Sequence, residues 1–406
     1  MPVTNYGAGA DTSRFQLRYY NETAWGETPG VDGVAGPAPT FTEMRATGES
    51  LTMNESTVQS EEIRSDRSIT DLVRTGFEAS GDTNYEVSFG SYDDFFQGAL
   101  FSTWSNAVDF GPASVSIVDA TTNSQIIDDG ASGAFSGFTA GQWIRVSGLT
   151  AASEDGYYRI ISVDGADTIT VAPQLTAVTN DAAVSVKSSG ILRNGTTAHS
   201  FSIEKEFADV TQFFLYQGMM VSAMEMNFAA EEILGGAFTF MGKTSVNGGA
   251  TYGDGTPTAA ASTQVMNSVN HLSNLRESGT VLSDNDTFLR SMSISLDNGL
   301  RGQKAIGDAG NVGVGLGRCN VTGTIEMYFI DGALYGKFIA ETEISFDWRI
   351  VDTAGNAYIF TMPRVKLTSP TIAAGAADED VIASFEFQAL RDPVTGATLQ
   401  IDRIPA

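Results

Sequence analysis

A faint internal repeat constrains this 406-residue chain more than any other feature. Moving the N-terminal region by about 238 residues sets Val87 and Phe89 on Ile325 and Met327. The stretch YDDFFQGALF (92–101) then falls on IDGALYGKFI (330–339), with Asp93 on Asp331 and Gly98 on Gly336. Upstream, MRATGESL (44–51) matches LRSMSISL (289–296). Downstream, AHSFSIEKEF (198–207) sits beside AYIFTMPRVK (357–366), and VSAMEMNF (221–228) beside VIASFEFQAL (381–390). One order occurs twice: strand, long polar loop, strand, helix, strands. A chain that repeats itself this way is expected to fold as two similar units.

Apolar and polar residues alternate through both copies, the period of half-buried strands. Val321, Ile325, Met327 and Phe329 share one face, as do Ile344, Phe346, Trp348 and Ile350, and then Val381, Ala383, Phe385 and Phe387. Two short helices are expected, over 92–104 with Ser91 as cap and over 331–341. Between 113 and 189 short alternating runs recur at close spacing, among them Val115/Ile117, Ile144/Val146 and Val184/Val186. They read as a small β-sandwich or barrel inserted into the first copy. The division is therefore an extended arm (1–40), a first unit (41–112 plus 190–245), the insert (113–189), a Gly/Ala/Thr linker or loop (246–263) and a second unit (264–406). The arm's Phe15, Tyr19, Tyr20 and Trp25 need burial on their own domain or on a neighbour. The fold class is mostly β: two sandwich or half-barrel domains, each with a short helix, plus the small inserted β domain.

Charge and motifs exclude much. With 23 basic and 49 acidic residues the net charge is −26, the wrong sign for gripping a phosphate backbone. No stretch reaches 18 apolar residues, so no membrane-spanning helix is expected, and residues 1–15, with no basic region before an apolar run, are not expected to be a secretory signal. The single Cys319 allows no internal disulfide and reads as a small, buried side chain. His199 and His271 stand far apart and form no metal motif. The Gly-rich run 307–317 lacks a following Gly-Lys-Ser/Thr and reads as a long loop, not a phosphate cradle. Asp284-Asn285-Asp286 opens like a calcium loop, but Leu289 stands where its glycine belongs and Ser295 where its glutamate belongs. No nucleophile, base or cofactor motif emerges, so neither an enzyme nor a cofactor is expected.

The opening FQLRYYNETAWGETPG (15–30), the segments MRATGESL and SEEIRSDRSITDLVRTGFEASGDTNYEVSF, and the second-copy stretches 289–303 and 321–338 resemble the larger, duplicated kind of siphophage tail tube protein. The insert, with GQWIRVSGL and GYYRIISVDGADTITVAP, resembles the Ig-like or small-barrel decorations of phage tail proteins. The resemblance implies a structural virion protein of the tail, assembled in the host cytoplasm. Homotrimeric, pseudo-hexameric rings would stack into a non-contractile conduit for DNA ejection. Tail terminator, tape measure and distal tail proteins would be its partners, and DNA would pass without specific binding. Two long loops at matching places are expected to meet other subunits or rings, through Glu61, Glu62, Arg64, Asp66 and Arg67 in one and Arg301, Lys304 and Asp308 in the other. Glu326 and Glu343 are expected to face the channel. Other readings are a different virion β-protein (tail terminator, baseplate hub or capsid decoration) or a carbohydrate-binding protein using Trp143, Tyr157 and Tyr158.

Overall fold

The computed structural model describes residues 9–119, 122–282, 288–375 and 377–406; the Asp284–Asp286 segment lies outside them. The chain begins with β1 (Phe15–Asn21), β2 (Thr42–Glu43), β3 (Ala46–Glu49), β4 (Thr52–Gln59) and β5 (Leu72–Glu86), then helix α1 (Asp93–Leu100). Six strands follow: β6 (Asp109–Asp119), β7 (Ser124–Asp128), β8 (Trp143–Ser147), β9 (Gly156–Val163), β10 (Thr168–Ala172) and β11 (Val178–Ser188). Next come β12 (Gly190–Arg193), β13 (Phe201–Phe207), β14 (Gln212–Ala229), β15 (Gly235–Met241) and β16 (Thr244–Gly248). The remainder holds β17 (Leu272–Glu277), β18 (Thr280–Val281), β19 (Leu289–Asp297), β20 (Arg301–Gln303), β21 (Gly313–Gly315), β22 (Asn320–Tyr328), α2 (Ala333–Ile339), β23 (Ile344–Val351), β24 (Ala357–Ala373), β25 (Ile382–Ala389) and β26 (Gln400–Ile404).

The pairing scheme of the first part recurs in the second. In the first, β1 pairs β13, β13 pairs the start of β14, and the end of β14 pairs β15, which pairs β5. In the second, β17 pairs β23, β23 pairs the start of β24, and the end of β24 pairs β25, which pairs β22. The strands β16 and β26 lie beside the starts of β14 and β24. The long strands β14 and β24 thus each run through two layers, and each carries one short helix. Bulges coincide as well: between Val221 and Ala223 in β14 and between Leu367 and Ser369 in β24. A bulge inserts one residue and bends the strand, so its position is a structural landmark. The match differs downstream from the sequence alignment. Residues 201–207 correspond to 344–351, and 212–229 to 357–373, because hydrogen bonding and not residue identity sets the partners.

Each part also opposes a glycine to a phenylalanine, Gly81 to Phe240 and Gly323 to Phe387. A Cβ on Gly323 would lie 2.2 Å from the Ser293 carbonyl oxygen and 2.3 Å from the Phe387 ring. A Cβ on Gly81 would lie 2.5 Å from the Ser50 carbonyl. Strand crowding therefore demands glycine at both places.

Residues 109–188 close into a separate barrel, in the order β10-β7-β6-β11-β8-β9, around Val115, Ile117, Ile144, Val146, Ile160 and Val184. The segment read as an arm contains β1, which pairs with β13 of its own chain. Both helices are shorter than their sequence patterns. Ser91 does not cap α1; its hydroxyl accepts from that of Ser88, and Tyr92 holds the cap position without a side-chain bond. Trp104 lies past the helix end and donates its indole N–H to the Asp93 carbonyl.

Helix α1 is a wedge in the main core. Phe95 and Phe96 are buried, and Phe96 meets the rings of Phe238, Tyr358 and Phe360 at centroid distances of 5.8, 5.8 and 6.3 Å. Replacing Phe96 with alanine should cost about 3–5 kcal/mol by removing a buried ring from both parts at once. Tyr335→Ala, on the exposed side of α2, should cost the isolated chain under about 0.5 kcal/mol. Chemical denaturation of the two variants measures the contrast.

Candidate functional site

Antiparallel pairing sets directly opposed residues on one face. Four rows of such residues cross the joined sheet. One runs Asp82, Thr239, Ala223, Asp297, Asn320. The next runs Asn84, Ala237, Glu225, Ser295, Thr322, Gln388, Lys366. A third runs Glu86, Gly235, Asn227, Ser293, Thr324, Glu386, Ser369. The fourth runs Ala229, Ser291, Glu326, Ser384, Thr371. The alternate residues, including Met224, Met226, Ile294, Ile325 and Phe385, are buried in the core. The face is thus hydroxyl-, amide- and carboxylate-bearing, with a central hollow over Gly323. It carries Asp82, Glu86, Glu225, Asp297, Glu326 and Glu386, and within the four rows Lys366 is the one cation. Glu326 accepts a hydrogen bond from the Ser291 hydroxyl at 3.0 Å.

Glu343 is not brought to this face. It precedes β23 and receives both the Nε and Nη2 hydrogens of Arg364, at 2.9 and 2.6 Å. Those hydrogen bonds hold its carboxyl below the ordinary range. Glu225 and Glu386 escaped the sequence reading, although each sits between two buried apolar residues, as Met-Glu-Met and Phe-Glu-Phe. That alternation is the signal that finds them.

The sheet ends in two open edges. Along β4 only Met53 is partly covered, and the last residues of β24, from Thr368 on, are exposed but for Pro370. Beyond β4 the β4–β5 hairpin extends as an arm whose tip holds Glu61, Glu62, Arg64, Asp66 and Arg67, all exposed. Arg64 and Asp66 pair with each other at 2.8 Å. Apolar Val58, Ile63, Ile69, Leu72 and Val73 on this arm are uncovered. The second loop sits differently. Arg301 and Asp308 are exposed, but the Phe77 N–H donates to the Ala309 carbonyl at 2.9 Å and Lys304 Nζ lies 3.7 Å from Glu78. It therefore packs on β5 of its own chain, whereas the first arm is free.

Other sequence candidates turn out to be structural. Trp143 is only 2% exposed and gives its indole N–H to Thr361 at 2.9 Å, while Arg276 covers its ring. Such a ring offers a sugar no stacking surface. Arg349 likewise covers Tyr157. His271 is buried, and its Nδ1 accepts from the Asn267 N–H in a turn. Cys319 is partly covered, and burial pushes its thiol up to about 11. No described helix is long and apolar enough to cross a membrane.

The inserted barrel is joined to the second part through a buried carboxyl. Asp402 accepts from the Trp143 N–H at 3.1 Å, the Ser189 hydroxyl at 2.5 Å and Gln400 Nε2 at 2.6 Å. Burial outweighs these donors and pushes its pKa up to about 6.

The fold and this face define a β-built structural protein. The family model for phage tail tube proteins matches residues 12–389, and the chain belongs to that family. The comparison with curated proteins gives no match.

Because the folded pKa of Asp402 lies above the ordinary 3.8, folding favours its protonated form. That contribution to stability is complete below 3.8 and is lost as pH rises through about 6. Wild type should therefore lose stability relative to Asp402→Asn over this interval, by up to about 3 kcal/mol. Urea midpoints of both proteins from pH 3.5 to 7.5 measure it.

Proposed function

We propose that three chains close into a ring through their open sheet edges, that the acidic face lines the bore, and that stacked rings form the channel through which phage DNA leaves the virion. The carrying observation is the sheet itself: a polar, acidic face that continues unbroken across both halves and stops at two unpaired edges. Unpaired edges invite pairing, and closure into a barrel removes them. Two similar tube domains per chain then give a three-fold ring a pseudo-six-fold bore, with residues 109–188 as a module inserted in the first. The module packs through Trp143 on Ala357, Ile359 and Ile404, away from the four rows, so it stands outside the bore.

The charge suits passage. Carboxylates facing DNA repel its phosphates, and the hydroxyls and amides between them hold water, so nothing grips the duplex. The free β4–β5 arms, with their uncovered Val58, Ile63 and Ile69, reach from ring to ring. A tail terminator, a tape measure protein and a distal tail protein are the partners that such a tube engages at its ends and in its bore. Assembly in the host cytoplasm follows from this role.

Cryo-electron microscopy of the purified protein at high concentration should show rings or tubes with a central hole and three-fold symmetry; a true hexamer of this chain contradicts the reading. Wild-type tubes should not retain double-stranded DNA in a sedimentation assay. The triple variant Glu225→Lys, Glu326→Lys, Glu386→Lys should still assemble and should retain DNA, releasing it as salt rises. Equal DNA retention by both tubes would show that these carboxylates do not face the bore.

A further inference from the structure

The two parts of the chain are joined by one ladder, in which Ala223–Ala229 of β14 pair with Asp297–Ser291 of β19. Beside it, α1 fills the space between its own sheet and the second part. Gly98 lets the helix approach Phe201 and Val221, whose atoms would lie 3.0 Å from an added Cβ. On the other side, Tyr358 donates its hydroxyl hydrogen to Asp93, which also pairs with Arg403, and Phe96 covers Phe360.

The bulges give the strand residues of this joint their counterparts. Ala223 and Ser369 each follow the bulge of their strand. Ser291 and Gly48 each follow the bulge that faces the strand before the helix. Counting from these, Asp297 corresponds to Asn54. A third pair of bulges, at Phe201/Ile203 and Ile344/Phe346, aligns Phe214 with Phe360. The counterparts are the parts of the molecule left uncovered. Ser369 and Asn54 lie on the two open edges. Around α2, Phe329, Ile330, Tyr335 and Ile339 are 40%, 49%, 43% and 64% exposed. Phe214 is half-buried beside Phe207 and, through it, Phe15, at centroid distances of 6.1 and 5.4 Å.

We infer that the joint inside the chain is repeated between chains, residue for residue: β24 of one copy pairs with β4 of the next, Ser369 opposite Asn54 and Thr371 opposite Thr52, while the exposed side of α2 covers the Phe15–Phe207–Phe214 cluster of that next copy. The polar faces match in this register, since Ser369 and Thr371 belong to the acidic rows and Asn54 and Thr52 correspond to Asp297 and Ser295 of those rows. The inference rests on the ring reading above and gives it a register and a second contact surface.

Opposed residues of an antiparallel pair have Cα atoms about 4.5–5.5 Å apart, within disulfide range. In a Cys319→Ala chain, Asn54→Cys with Ser369→Cys should cross-link on oxidation into covalent dimers and trimers that reductant dissolves. Thr57→Cys with Ser369→Cys, displaced along the strand and onto the other face, should not. Separately, Ile339→Glu should leave the circular dichroism of the monomer unchanged and raise the concentration for half-assembly tenfold or more. Rings that form without the Asn54–Ser369 cross-link, or with Ile339→Glu assembling as wild type, would overturn this register and leave the tube reading standing. A wild-type chain that stays monomeric at every concentration would overturn both.

Discussion

One run of backbone hydrogen bonds, between the end of β14 and β19, holds the rest of this structure in place. It converts two similar β parts into one sheet. Without it the apolar side chains of Met224, Met226, Ile294 and Leu296 would lie at open edges and not in a shared core. It also fixes where α1 lies, because the helix needs a sheet on both sides to bury Phe95 and Phe96. The aspartates at the helix start serve this arrangement. Asp94 accepts from Tyr19 and Asn21 of the first part, and Asp93 from Tyr358 of the second. Carboxylates there also suit the positive end of the helix, so tethering and helix electrostatics act in the same direction.

The same ladder orders the chemistry of the surface. A strand shows alternate residues to opposite faces, so one continuous register aligns every outward residue of the sheet into rows. Glu225, Glu326 and Glu386 come from strands far apart in the chain and share a face for that reason alone. Six carboxylates are thus set on one polar face of the sheet. The buried carboxyl of Asp402 plays another role: it draws donors from the barrel, from the segment leaving it and from β26, and so holds the inserted module at a fixed place on the second part.

Much of this was legible in the residues. Alternation in VSAMEMNF and IASFEFQ announced strands with one buried face, and the repeat announced two like units. The closely spaced short runs after residue 113 announced a small β unit. The residue-level alignment drifted for a physical reason: bulges and loops of unequal length shift numbering, while the period of two still keeps the faces right. Glu326 alternates with Ile325 and Met327, and the strand register sets it on the polar face. Glu343 lies off that face, paired with Arg364, and nothing local in the sequence shows this capture across a strand pair. The two polar loops read alike, yet one packs on β5 through Ala309 and the other extends freely.

The sequence by itself determined the β class and the apolar and polar sides of strands such as β19 and β25, because these follow from side-chain chemistry at a local period. Only the tertiary structure decided which strands adjoin, and therefore which acids share a face, which edges stay open and which aromatic rings are covered. Those depend on hydrogen bonds between segments distant in the chain, and a local pattern carries no record of its distant partner.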